Sequence, residues 1–154
     1  GNTGQNMTNI TNIPKKGRYT TMQILTILVI EDEDSLLQLY RIILEKEGFK
    51  VLTVHNGQEA WDTLLKFKKE GNPGEKVQCI ITDIEMPQMD GHRLTKLVKS
   101  DDVLKNIPLI IFSSLVNEEM RRKGEILGAD AQLTKPEIGS LVEAIDKLID
   151  NGNK

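Results

Sequence analysis

The chain has 154 residues, 38% of them hydrophobic and 28% charged, which is enough for one domain with a sizeable core and a solvated surface. A net charge of -3 gives no support to a nucleic-acid or anionic-membrane partner, and the longest apolar stretch, Ile24 to Ile30, is far too short to insert across a membrane. The single cysteine, Cys79, excludes an internal disulfide and fits a reducing, cytoplasmic setting, with Cys79 read as a small core residue.

Residues 1–22 are rich in Asn and Gly, have few apolar residues and show no period. They are expected to be a disordered linker, or an end foreign to the natural chain, ahead of one domain over residues 23–151. Ile24 to Ile30 then predicts a buried strand. Asp34 or Ser35 can cap a helix whose apolar stripe includes Leu36, Leu37, Tyr40 and Leu44, and Gly48 ends it. Phe49 to Val54 predicts a second strand. Asn56, with Glu59 three residues on, starts a second helix through Trp61, Leu64 and Phe67. Residues 70–74 predict a loop. Val77 to Asp83 is the third strand, and Pro87 forces a loop after it.

Asp90 can cap the third helix, through Leu94 and Val98. Ile107 to Phe112 is the fourth strand. Asn117 caps the fourth helix, which Gly124 weakens by about 1 kcal/mol relative to Ala. Ala131 to Thr134 is a short fifth strand. Pro136 suits the start of a last helix with Leu141, Ile145 and Ile149 on its apolar face. Five strands alternating with five helices predict an α/β fold, a doubly wound five-stranded parallel sheet with right-handed crossovers. In such sheets ligands sit outside the carboxyl ends of the strands.

Those ends carry Glu31 and Asp32, then Asp83, then Ser113 and Ser114, then Lys135. If the first and third strands are neighbours, three carboxylates converge and must take up protons or a cation. Oxygen ligands with room left for water and phosphate oxygens favour Mg²⁺. A carboxylate can attack phosphorus and form an aspartyl phosphate, while an ammonium and a hydroxyl hold the remaining phosphoryl oxygens. Asp83 stands alone at its strand end and is read as the acceptor; the pair Glu31 and Asp32 is read as the metal holder. Singly, each site has a plainer reading: an acid-rich helix start, a turn cap, loop serines, a surface lysine. Their joint occurrence at alternate strand ends favours a phosphoryl site. His55 and His92 are read as solvated surface histidines, and Trp61 as core. Arg121-Arg122-Lys123 is read as a solvated helix face, with a partner surface as the alternative.

Ile27-Leu28-Val29-Ile30-Glu31-Asp32, Asp83-Ile84-Glu85-Met86-Pro87 through Asp90-Gly91, Pro108 through Ser113, and Lys135-Pro136 together resemble the receiver domain of two-component response regulators. The resemblance covers residues 24–150. It implies a CheY/flavodoxin-like strand order, 2-1-3-4-5. Residues 80–96 and 112–125 are similar to the C-terminal receiver of CheV-type chemotaxis coupling proteins. There a CheW-like domain precedes the receiver and joins the chemoreceptor array, so the chain is expected to be a fragment. The resemblance further implies phosphorylation of Asp83 by the histidine kinase CheA, modulation of kinase–receptor coupling, and Mg²⁺ held by Asp32, Asp83, the Glu85 backbone carbonyl and Glu31, directly or through water. Ser113 would be the switch hydroxyl, Lys135 the phosphoryl contact, and Lys135-Pro136 a cis peptide.

Two residues depart from the family's usual pattern. Ser113 stands where Thr is commoner, and Gln132 where many receivers carry Tyr or Phe, so a coupled aromatic rotation cannot operate there. Glu85 places a carboxylate beside the acceptor and is expected to slow or redirect attack by water. The implied activity is self-phosphorylation and self-dephosphorylation, not turnover of an external substrate. The rival readings are a Mg²⁺-dependent aspartyl-phosphate hydrolase and a flavin- or nucleotide-binding domain. Glu85 follows the third strand rather than the first, against the hydrolase. Glu31 to Asp34 would repel phosphate after the first strand, against the nucleotide domain.

Overall fold

A computed structural model describes residues 23–114 and 117–152. The linker expected over residues 1–22 lies outside the described residues, as do residues 115 and 116 of the stretch compared with CheV-type receivers. Five strands, β1 (Thr26–Ile30), β2 (Lys50–Val54), β3 (Cys79–Thr82), β4 (Leu109–Ser113) and β5 (Ala131–Thr134), form one sheet. All the pairings are parallel and the order is β2-β1-β3-β4-β5.

Five helices cover the sheet: α1 (Asp34–Lys46), α2 (Gly57–Glu70), α3 (Gly91–Ser100), α4 (Glu118–Leu127) and α5 (Ile138–Gly152). Strand side chains alternate between two cores, as the two-residue period requires. Ile27, Val29 and Phe112 pack with Leu37, Tyr40 and Leu44 of α1 and Leu141 and Ile145 of α5. Leu28, Ile30 and Ile111 pack with Leu64 of α2 and Leu94 and Val98 of α3, with Trp61 partly buried against them. Cys79 is fully buried, and burial pushes its thiol up to about 12, as a small core residue requires.

The predicted caps at Asn56, Asp90 and Asn117 form: each side chain accepts the backbone N–H three residues on. Four local expectations are corrected. The first helix is capped at neither Asp34 nor Ser35: Glu33 is its N-cap and makes no side-chain cap bond, while its own N–H donates to Glu31 Oε2 at 3.2 Å. Within the expected loop 70–74, Pro73 starts a one-turn helix, Pro73–Lys76, since its fixed φ suits a first helical position. Pro136 does not start the last helix: the Lys135-Pro136 bond is cis, as the resemblance implies, and α5 begins at Ile138. Ile24 is 51% exposed and precedes β1 rather than belonging to it.

Gly124 also finds its reason. A Cβ there would lie 2.2 Å from Gln132 Oε1, and Gln132 Nε2 donates to the Arg121 carbonyl at 2.8 Å. The amide of Gln132 thus lies against α4 at the one residue that leaves room for it. Gly124→Ala should therefore fail to deliver the roughly 1 kcal/mol gain expected of Ala in a helix interior. In a Gln132→Ala background the gain should reappear. A double-mutant cycle by urea denaturation measures this, and additivity of the two changes would contradict it.

Candidate functional site

Parallel strands β1 and β3, paired from Ile27↔Cys79 to Ile30↔Thr82, bring residues 31, 32 and 83 to one end of the sheet. Glu31 and Asp83 follow directly on buried strands, so their positions are set by the sheet, and Asp32 comes one residue after Glu31. One oxygen each from Glu31, Asp32 and Asp83 lie within 4.8 Å of one another. Glu31 is buried, Asp83 half-buried and Asp32 exposed, so the cluster runs from the protein interior to solvent.

Lys135, at the end of β5, reaches back over β4 into this cluster. Its Nζ lies 2.5 Å from Glu31 Oε1 and 2.7 Å from Asp83 Oδ2, with 12% of its side chain exposed. The other oxygen of Asp83 accepts the Ile84 N–H at 2.6 Å. Lys135 Nζ also stands 5.9 Å from the centre of the Tyr40 ring, a contact that no pattern in the sequence signals. The backbone of β5 is tied to β4 at this point: Lys135 N–H donates to the Ser113 carbonyl at 3.0 Å. Ser113 is buried at the end of β4. It lines, with Ile84, Met120, Arg121 and Gln132, a cavity of about 10 Å³, at the lower limit for one water.

The electrostatics show a site short of positive charge. Burial pushes the Glu31 carboxyl above its ordinary value, and the Lys135 ammonium and the Glu33 N–H offset this only in part. Burial opposes the charge on Lys135, but its bonds to Asp83 and Glu31 outweigh that and hold it above the usual lysine range. With every group ionised, the three carboxylates outnumber the one ammonium by two charges. The all-oxygen donor set, open to solvent at Asp32, fits a hard divalent cation such as Mg²⁺.

Glu85 is exposed on the loop after Asp83 and lines a groove of about 570 Å³ with Asp32, Asp90, His92 and Lys123. The loop's path depends on Gly91, where a Cβ would lie 1.8 Å from the Asp83 carbonyl oxygen. That close approach was not legible in the sequence, although the Asp90-Gly91 pair marks a helix start.

His55 is exposed and pairs with Asp34 at 2.9 Å, in keeping with a solvated histidine. His92 contradicts that reading: it is 3% exposed, because α4 packs over the face of α3 that carries it. Arg121, Arg122 and Lys123 are exposed, as expected of a solvated face.

The family profile described as "Response regulator receiver domain" matches residues 27–146. The chain is 34% identical over 126 residues to the gliding motility regulatory protein of Myxococcus xanthus, covering 80% of this chain and 15% of that protein. It is 31% identical over 114 residues to the polar-differentiation response regulator DivK of Brucella anthropi, covering 72% of this chain and 84% of DivK. Among solved structures, Vibrio cholerae chemotaxis protein CheY4 superposes with a TM-score of 0.69 at 26% identity, covering 82% of this chain and 99% of that one. The chain thus spans nearly all of some single-domain relatives and a small fraction of longer ones.

Replacing Lys135 by Met should leave Glu31 and Asp83 uncompensated and cost about 3–5 kcal/mol at neutral pH, read by urea denaturation. Because the folded-state pKa of Glu31 lies above its unfolded value, the folded state takes up the extra proton. Stability lost by the variant should therefore return as pH falls toward the acidic range, and a deficit independent of pH would contradict the arrangement.

Proposed function

This chain belongs to the response regulator receiver domain family, and we propose that Asp83 is its phosphoacceptor, charged from a phosphohistidine of a histidine kinase. Response regulators of two-component systems accept phosphoryl groups from such kinases. The observation that carries the assignment is the placement of Lys135 Nζ, 2.7 Å from Asp83 Oδ2, where an ammonium can meet a phosphoryl oxygen bound to the same carboxylate.

In the proposed reaction an Asp83 carboxylate oxygen forms the bond to phosphorus as the bond from phosphorus to the donor imidazole nitrogen breaks. The imidazole leaves with the electron pair and takes a proton from solvent. Ile84 N–H, 2.6 Å from the other Asp83 oxygen, fixes the plane of the nucleophile. Asp32, Asp83 and Glu31 would hold Mg²⁺, with the Glu85 backbone carbonyl as a further ligand. Mg²⁺ supplies charge neutralisation to the transferring group. Lys135 holds one phosphoryl oxygen and the buried Ser113 hydroxyl another. The module turns over no external substrate; its chemistry is on itself.

The finer reading is a chemotaxis receiver of CheV type, cytoplasmic, fed by CheA and joined to a chemoreceptor array through a CheW-like domain, so that phosphorylation modulates kinase–receptor coupling. It rests on residues 80–96 and 112–125, and is helped by the likeness to a chemotaxis protein from Vibrio cholerae. Among the described residues no helix is long and apolar enough to cross a membrane.

Incubation with a small phosphodonor and Mg²⁺ should add one phosphoryl group by intact mass, absent without Mg²⁺ and absent in Asp83→Asn. An adduct that persists in Asp83→Asn would overturn the assignment. Glu85→Asn should change the rate of adduct loss by several-fold, since it removes a carboxylate from the approach of water; an unchanged rate would show that Glu85 has no part in timing.

A further inference from the structure

His92 has no part in the proposed chemistry, yet it is a titratable group buried where two helices meet. It is the second residue of α3, one position after Gly91, and only 3% of it is exposed. Among the described residues its Nε2 has no hydrogen-bond partner. From α4, the Lys123 ammonium and the Met120 carbonyl act on it; from its own helix, the Asp90 carboxylate at the N-cap. Asp32, from the loop after β1, and Glu85, from the loop after β3, line the same groove.

A neutral imidazole tolerates an unpartnered Nε2 far better than an imidazolium tolerates an unpartnered N–H, because the charged form loses more on leaving water. Among α1 to α4, α4 is the least anchored: Gly124 is its one buried residue, against three each in α1 and α2 and five in α3. A charge that appears beneath α4 is therefore more easily relieved by lifting α4 than by disturbing α3 or the sheet.

We propose that His92 is a proton-operated wedge in the seam between α3 and α4: neutral, it lets α4 seat; protonated, it pushes against Lys123 and opens the seam. The burial of the ring and the Lys123 charge hold His92 below the ordinary histidine value, with Asp90 and the Met120 carbonyl opposing in part. A folded-state value below the unfolded one means that the opened or unfolded form binds the proton first. The seating of α4 is thus fully present above the ordinary value of 6.5 and is lost as pH falls below it. Because Met120 and Arg121 of α4 line the Ser113 cavity, the device would make that wall of the cavity sensitive to pH.

The test uses the whole chain, without phosphodonor or metal, so that its outcome is independent of the phosphoacceptor assignment. The chain has two histidines, so the ring C–H signals of His92 and His55 can be followed together by NMR from about pH 8 to about pH 5. His92 should titrate below the ordinary histidine range. Hydrogen exchange at α4 amides, corrected for the intrinsic pH dependence, should rise at least about tenfold across that titration. In His92→Phe this rise should vanish. In Lys123→Met, which leaves the imidazole in place, the His92 midpoint should move up and the rise in exchange should shrink. Titration of His92 in the ordinary range, or a rise in α4 exchange that survives in His92→Phe, would overturn the proposal. So would a Lys123→Met variant that leaves both midpoint and exchange unchanged.

Discussion

The structure depends on one contact made across the sheet: the Lys135 ammonium held between Glu31 and Asp83. Lys135 lies 52 positions from Asp83 and 104 from Glu31, and they meet because β1 and β3 are neighbours and β5 lies two strands from β3, with β4 between. A carboxylate as buried as Glu31 is costly to ionise without such a partner. The same partner leaves the cluster short of positive charge, which is the condition for it to take a divalent cation. Stability and chemistry thus draw on the same three side chains.

Everything around that contact serves to hold it still. The two cores clamp the sheet from both faces, so strand ends are placed to within the tolerance of close packing. Gly91 lets the start of α3 come against the Asp83 carbonyl, closing the loop that carries Glu85. On the far side the frame is looser. β5 is half-buried throughout, and α4 is fixed to it by Gln132 lying on Gly124. The rigid half carries the acids, and the looser half carries the hydroxyl's surroundings.

Much of this was legible in the sequence because it rests on local signals. Strand alternation with helices, the caps at Asn56, Asp90 and Asn117, and charged residues at strand ends all follow from short-range physics. What escaped was long-range or negative. The burial of His92 depends on α4 packing over α3, and nothing within a few residues of His92 reports that. Gly124 read as a flaw in a helix because the residue that needs its missing side chain lies eight positions on, in another element. Asp34 became the first residue inside the helix and Glu33 its N-cap, a one-residue shift of boundary that the run of acids from Glu31 to Asp34 does not distinguish. Contact of Lys135 with Tyr40 joins β5 to α1 and left no mark in either segment.

The reach of Lys135 has a consequence for how the domain is made. The acids are complete once β3 has been synthesised, but their counter-charge lies 52 residues further on, at the end of the last strand. A nascent chain therefore carries Glu31, Asp32 and Asp83 for an interval before Lys135 exists to sit between two of them. Ribosomal synthesis runs at about 5–20 residues per second, so it lasts for seconds, long on the timescale of local folding. The contact of Lys135 with the acids can form only once the edge strand has arrived, and α5, which packs on the same sheet, follows it.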